Sequence, residues 1–570
     1  MRQPARVHLI AIVTAALATL LVSCSKPNPK KPEPTAAPNP PAPATVAPPT
    51  TTPPPAHAAT PIARAPETPD LADVHADAPG IDWFNGDVDA AFKSAQASNK
   101  PVLLYWGAKW CPPCKQLKSA VFSRPDFIEK SKLFVAVYLD GDLPDAQKWG
   151  DVFRVTGYPT VVVLKPDRTE ITRIAGNMDL SLYAGVLDNA LGDVHPVKEV
   201  IDLAVKGEAA MKADDCRRLA YHAFDLEDDG VFAPADLQSA FTNAARLCPS
   251  GLDKERARFN ILAAAEAAEQ QKDVIEKGGK AEKDFASLIL RVNGILGNQE
   301  LSLANADAIR GLRPEFYRAA RQSLPQISSQ LRERVMAFAD ASTTNPQFAP
   351  ADQLAAQLVK IRVAKAYAPD GKVPTDVRTV ALATSQKMLD VKMEPYVRAG
   401  VVNSAINIYI ALDDWTHARD LLAQEAKTSN TPHYYLSDEG EAEEHLGNLK
   451  RALELYSQAY AQARGPASRF QWGYIYLDAL LRLAPDDTAG IQKVGTQVIA
   501  ELDGPNRIHR RTLSRLNKLD KELREWETTP ARAAVTRRLR SQVANTCAIA
   551  AGDAASAAGC HAFTTVAAAS

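Results

Sequence analysis

Hydrophobic and polar positions change rhythm several times along this chain. Residues 7–22 form an almost unbroken apolar run, preceded by Arg2 and Arg6. Over residues 26–80 no period survives. Between 81 and 195, short apolar runs then alternate with stretches of helical spacing. Residues 88–97 repeat apolar side chains at helical intervals, and Lys100-Pro101 opens the run Val102-Leu103-Leu104-Tyr105-Trp106. Helical spacing returns over 113–121. A Val-rich second strand is predicted at 133–139, a short helix near 144–153, a third strand at 161–164, a fourth at 171–174 and a closing helix at 180–191. Runs of four to eight apolar residues read as buried strands, and apolar positions three and four apart read as one face of a helix. Alternation with short connections predicts a small α/β sandwich. From residue 196 to the end the pattern is helical and Ala-rich.

A single segment of that helical region repeats. Leu412-Asp413-Asp414-Trp415-Thr416-His417-Ala418 aligns with Leu446-Gly447-Asn448-Leu449-Lys450-Arg451-Ala452, 34 residues later, and Leu422 then matches Tyr456. Gly440, Gly447, Ala452, Tyr456 and Ala459 fit the tetratricopeptide pattern, in which small residues let two helices approach and large ones fill the gap. By that resemblance residues 396–485 are tetratricopeptide-like repeats, with the helix carrying Trp472 and Tyr476 as a cap. A stable solenoid needs about three repeats, so degenerate units are expected in 196–395. Residues 486–570 form a helical C-terminal region with an Ala-rich tail. Solenoid surfaces of this kind bind proteins.

The chain has 570 residues and a formal charge of −1, which excludes a strongly basic nucleic-acid binder. Its one long apolar run excludes a multi-span membrane protein. Arg2, Arg6 and the run behind them have the form of an export signal over residues 1–23. Leu21-Val22-Ser23-Cys24 resembles the lipobox of bacterial lipoproteins. That resemblance makes Cys24 the lipidated first residue of the mature protein, and Ser25 in place of Asp directs it to the outer membrane, facing the periplasm. Seventeen of the 40 prolines lie between Pro27 and Pro79. Such a segment cannot bury enough apolar surface to fold, so residues 24–80 read as a disordered, Pro-rich linker.

The chemistry sits at Trp110-Cys111-Pro112-Pro113-Cys114-Lys115. Two thiols spaced C-x-x-C, after a buried strand and at a helix start, suit dithiol–disulfide exchange. The positive end of the helix lowers a thiol's pKa and supplies the attacking thiolate. Cys111 is expected to be the exposed nucleophile, and Cys114 the more buried resolving thiol. The segment resembles the thioredoxin-like family, and more closely the C-terminal periplasmic domain of the thiol:disulfide interchange protein DsbD. Gly157-Tyr158-Pro159-Thr160 matches that family's cis-proline loop. The resemblance implies that Tyr158 and Pro159, with Trp110, shape a substrate groove beside the sulfurs. One departure is Tyr105, which stands where the family has a buried Asp six residues before the first cysteine. A second is Pro112-Pro113: two residues without N–H leave the Cys111 sulfur only the donor of Cys114.

No bound cofactor is implied, since the dithiol itself carries the electrons. A zinc site wants four ligands and a second close pair, and covalent haem wants His where Lys115 stands, so no metal is expected. Setting Cys24 and the C-x-x-C pair aside leaves Cys216, Cys248, Cys547 and Cys560, which allow three pairings. Cys216 with Cys248 and Cys547 with Cys560 is the economical choice for structural disulfides. Asp225 to Asp236 imitates an EF-hand loop, but Asp at the twelfth position and Pro234 favour a polar turn with Asp236 near a helix start.

Two functions fit these features. The first is an envelope lipoprotein thiol–disulfide oxidoreductase that acts on protein thiols and disulfides, takes electrons from a membrane or periplasmic donor, and recruits partners through its helices. The second is a lipoprotein scaffold whose thioredoxin-like domain is a redox-inactive binding module.

Overall fold

In the computed structural model, described residues are 80–175, 180–192, 195–226, 232–504, 507–550 and Cys560. The export signal, Cys24, the Pro-rich linker and most of the Ala-rich tail lie outside them, as do residues 227–231 of the acidic loop.

The α/β region is built on β1 (Val102–Gly107), a strand buried along its whole length. It pairs in parallel with β2 (Val135–Asp140) on one side and antiparallel with β3 (Thr160–Leu164) on the other. An antiparallel β4 (Glu170–Ala175) follows, giving the order β2-β1-β3-β4. Alternation along a strand sends successive side chains to opposite faces, and both faces are covered here. Val102, Leu104, Trp106, Val162 and Leu164 point toward α1 (Val88–Ser98) and α4 (Pro144–Val152). Leu103, Tyr105, Val161 and Val163 point the other way. That second layer holds α2 (Pro112–Leu117), a π-turn at Lys118–Phe122, α3 (Pro125–Ser131) and α5 (Leu180–Ala190). The predicted strands and most predicted helices are present. The helix read over 113–121 is broken by the π-turn, and α3 was not predicted. Pro125 opens α3 with φ already set for a helix.

An all-helical region follows. Its first helices share a core with the α/β sandwich: Tyr183, Val186 and Leu187 of α5 belong to the same apolar cluster as Val200, Ile201, Phe241, Phe259 and Phe316. Strand β4 is tied in as well. The buried Arg173 guanidinium donates to the carbonyls of Phe153 and Leu226, each at 2.9 Å, and pairs with Glu170 at 2.8 Å. The shared core ends at the helix Pro350–Tyr367. Val359 and Val363 face it, whereas Leu354 and Ile361 face a separate cluster with Val402, Ile406 and Tyr409.

The 34-residue offset appears as two helical hairpins, Pro395–Ala411 with Trp415–Thr428 and Pro432–His445 with Leu449–Gln462. The Tyr456 ring lies against Gly440, where a Cβ would come within 3.0 Å of it. The helix Pro466–Leu483 does not close the stack, because Thr488–Ala500 and Arg510–Trp526 pack on it. No described helix is long and apolar enough to cross a membrane.

Candidate functional site

Strand β1 ends at Gly107, and a few residues later Cys111 takes the N-cap position of α2 in extended conformation. Pro112 and Pro113 occupy the first helical positions, where a missing N–H breaks no helical bond. The first available donor is the N–H of Cys114, which points at Cys111 Sγ from 3.2 Å. The two sulfurs are bonded, with their Cα atoms 5.2 Å apart. A sulfur at this position faces the positive end of the helix dipole, which favours a thiolate once the bond is reduced.

The Tyr158–Pro159 peptide is cis. It brings Tyr158 against the pair, in one apolar cluster with Ala108, Trp110, Cys111 and Cys114. Gln147 Nε2 donates to Tyr158 Oη at 2.9 Å, and burial pushes the phenol pKa up. Trp110 and Tyr158 are therefore gathered around the two sulfurs, and Pro159 follows Tyr158 across the cis peptide.

Tyr105, which stands where the family has a buried Asp, sits in an aromatic box. Its ring lies 4.8 Å from Phe122 and 5.2 Å from Tyr138, with Trp83 at 6.1 Å. The ammonium of the buried Lys118 lies 5.1 Å over the Tyr138 ring. Lys118 is one helical turn beyond Cys114, and its N–H donates to the Cys114 carbonyl.

The expectation of an exposed Cys111 is not met. Cys111 is 2% exposed and Cys114 0%. The reason lies far along the chain, in helices packed on this face. The Trp110 ring stacks on Tyr434 at 6.3 Å and meets Trp472 edge-on at 5.0 Å. His433 packs on Trp472 at 4.6 Å, and burial with the nearby Lys115 lowers its pKa to about 4. On the outer side of α2, a Cβ at Gly400 would come within 3.2 Å of Gln116 Oε1. Asp142 accepts from the Ser468 hydroxyl, and burial with the neighbouring Asp140 pushes its carboxyl up to about 7. Asp151 pairs with His509 Nδ1 at 2.8 Å and accepts from the Arg510 backbone N–H at 3.0 Å. The Arg511 guanidinium lies 4.4 Å over the Tyr158 ring. None of these partners carries a signal in the sequence, because each becomes functional only through a neighbour hundreds of residues away.

The other described cysteines form two further pairs. Cys216 is bonded to Cys248 and Cys547 to Cys560, and all four are buried. Asp236 stands in the first turn of the helix Pro234–Leu247.

A mixed four-stranded sheet with a dithiol pair at a helix N-cap and a cis-proline loop beside it defines a thioredoxin-like redox domain. The profile of the thioredoxin-like domain matches residues 88–191. The thiol:disulfide interchange protein DsbD of Cronobacter sakazakii is 36% identical over 112 residues, 18% of this chain and 19% of that protein. DsbD of Pseudomonas fluorescens is 31% identical over 101 residues, 17% of each chain. Thioredoxin H5 of Arabidopsis thaliana is 33% identical over 105 residues, 17% of this chain and 83% of its own length. Through these residues the chain belongs to the thioredoxin family. It spans about a fifth of the length of the DsbD proteins it matches.

Proposed function

We propose that this protein is a thiol–disulfide oxidoreductase of the bacterial cell envelope, with Cys111 as nucleophile and Cys114 as resolving thiol. The Cys111 thiolate attacks one sulfur of a protein disulfide, forming a mixed disulfide and releasing the other sulfur as a thiolate. Cys114, once deprotonated, attacks Cys111 Sγ, which closes the intramolecular bond and releases the partner's second thiolate. Two electrons pass to the partner, and a dithiol donor at the membrane or in the periplasm returns them. No bound cofactor takes part.

The placement of Cys111 at the N-cap of α2, with the Cys114 N–H aimed at its sulfur and the cis Tyr158–Pro159 peptide alongside, carries this reading. The likeness to DsbD supports an envelope location and protein thiols as substrates. The signal-like residues 1–23 and Cys24 support a lipid anchor in the outer membrane, with residues 24–80 as its stalk. The paired hairpins over 395–462 support a tetratricopeptide-like surface that recruits partner proteins.

Trapping tests it. The C114S variant should accumulate mixed disulfides through Cys111, and the C111S/C114S double variant should accumulate none. If C114S captures nothing under oxidising and reducing conditions alike, the exchange reading is wrong. A second reading, a redox-inactive scaffold, is favoured by the near-complete burial of both sulfurs.

A further inference from the structure

The α/β sandwich meets the helical region along two junctions of different chemistry. At α5 and β4 the contact is a continuous apolar core, closed by the buried Arg173. That junction has the character of a domain interior. Across the face that carries the sulfurs the helix Pro395–Ala411 packs along α2, Trp110 joins an apolar cluster with Leu436 and Trp472, and a set of discrete latches lies around these contacts. Trp110 against Tyr434 and Trp472 is one. Asp142 with Ser468 is a second, and Asp151 with His509 and Arg510 a third. Arg511 over Tyr158 is the fourth. The latches are aromatic and polar, the composition of interfaces that open and close rather than of obligate cores.

The sulfurs lie beneath these latches. Attack on a disulfide requires an incoming sulfur to reach the bond, and rates of exchange depend on that access. With 2% and 0% of Cys111 and Cys114 exposed, the docked arrangement leaves no approach for a sulfur on another protein. The body that must move is bounded as well. The shared core stops at the helix Pro350–Tyr367, and the latching residues lie beyond it in sequence, on helices whose apolar clusters are separate from that core. One close fit shows how tightly the face is seated. Gly465, at φ +80°, lies so near Asp142 that a Cβ would come within 2.9 Å of the Asp142 Cβ.

We infer that the helices from Pro395 to Trp526 form a lid on the Cys111–Cys114 pair, and that their release from Trp110, Asp142, Asp151 and Tyr158 controls access to the disulfide. This rests on the exchange reading for its purpose, but not for its test. Opening swings the latched helices away while the junction at α5 and β4 holds. The same event frees the face formed by Trp110, Tyr158 and Pro159 for a protein partner.

The test uses the full chain and two reductants. Reduction of Cys111–Cys114 by dithiothreitol is followed by the mass shift on alkylation, and electron transfer to protein is followed with insulin. The variants are Arg511→Glu, which sets a carboxylate against Tyr158 and the nearby Asp142, and His509→Ala, which removes the imidazole latch on Asp151. Each should speed reduction by dithiothreitol about tenfold, the effect of losing one polar contact of about 1.4 kcal/mol. Circular dichroism should show the wild-type helix content. In the wild-type chain, the reduction rate should climb steeply with urea below the unfolding transition, as expected for local opening. A wild-type rate that is flat in urea overturns the lid, as do rates within twofold of wild type in both folded variants. Variants that are reduced quickly yet pass no electrons to insulin keep the lid and remove the oxidoreductase assignment.

Discussion

The indole of Trp110 meets that of Trp472 edge to face, with ring centroids 5.0 Å apart. The first residue adjoins Cys111, and the second belongs to the helix Pro466–Leu483, more than 350 residues later in the chain. Such pairs contribute about 0.5–1.5 kcal/mol beyond the area they bury. Trp472 is almost fully buried. Trp472→Ala should therefore cost about 3–5 kcal/mol, read as a lower urea midpoint, together with faster alkylation of reduced Cys111. Unchanged alkylation would show that this contact does not cover the sulfur.

Two groups in the latched face make stability depend on pH with opposite signs. His433 has its pKa lowered from 6.5 to about 4, so the stability tied to its neutral form is full above 6.5 and is lost as pH falls toward 4. Asp142 has its pKa raised from 3.8 to about 7, so its contribution is full below 3.8 and is lost as pH rises toward 7. In urea denaturation between pH 4 and 7, His433→Phe should lose stability relative to the wild type as pH rises and Asp142→Asn should gain it, each by about 1–3 kcal/mol across the window. Parallel curves for the two variants would contradict these environments.

Lys118 is a buried cation one helical turn beyond Cys114, with its ammonium over the Tyr138 ring. A nearby cation favours a thiolate. In the reduced protein Lys118→Met should raise the Cys114 pKa by about one unit and slow resolution of a trapped mixed disulfide. The Cys111 pKa should move less. Thiolate absorbance measured on C111S and C114S backgrounds separates the two sulfurs.

The disulfide Cys216–Cys248 closes a loop with a sequence separation of 32. By chain entropy, the double Cys→Ala variant should lose about 3–4 kcal/mol. Because this pair belongs to a different apolar cluster from Cys111 and Cys114 and touches none of the latches, the rate of Cys111–Cys114 reduction should stay at the wild-type value when measured well below the unfolding transition. A changed rate would mean that this disulfide also communicates with the active pair.

Much of the α/β sandwich was legible because its signals are local. The run 102–106 is apolar at every position since β1 is buried on both faces. The C-x-x-C spacing announces a helix start, and Tyr158-Pro159 lies on the strand's approach. Helix α3 was hidden because Arg124-Pro125-Asp126 reads as a turn, although Pro is equally at home as the first residue of a helix. The π-turn at Lys118–Phe122 leaves no periodic trace in so short a segment.

Sequence alone singled out the atoms proposed to carry the chemistry: a C-x-x-C pair of thiols, two prolines that leave one N–H for the first sulfur, and a tyrosine in place of an acid. Those are matters of covalent order and of spacing within one or two helical turns. Whether a partner can reach the sulfurs was decided by tertiary structure, because accessibility depends on which distant surfaces share a face. Asp142 with Ser468, Asp151 with His509 and Trp110 with Trp472 are ordinary residues in the linear chain. They become a closed door only when the fold brings their helices onto the end of α2.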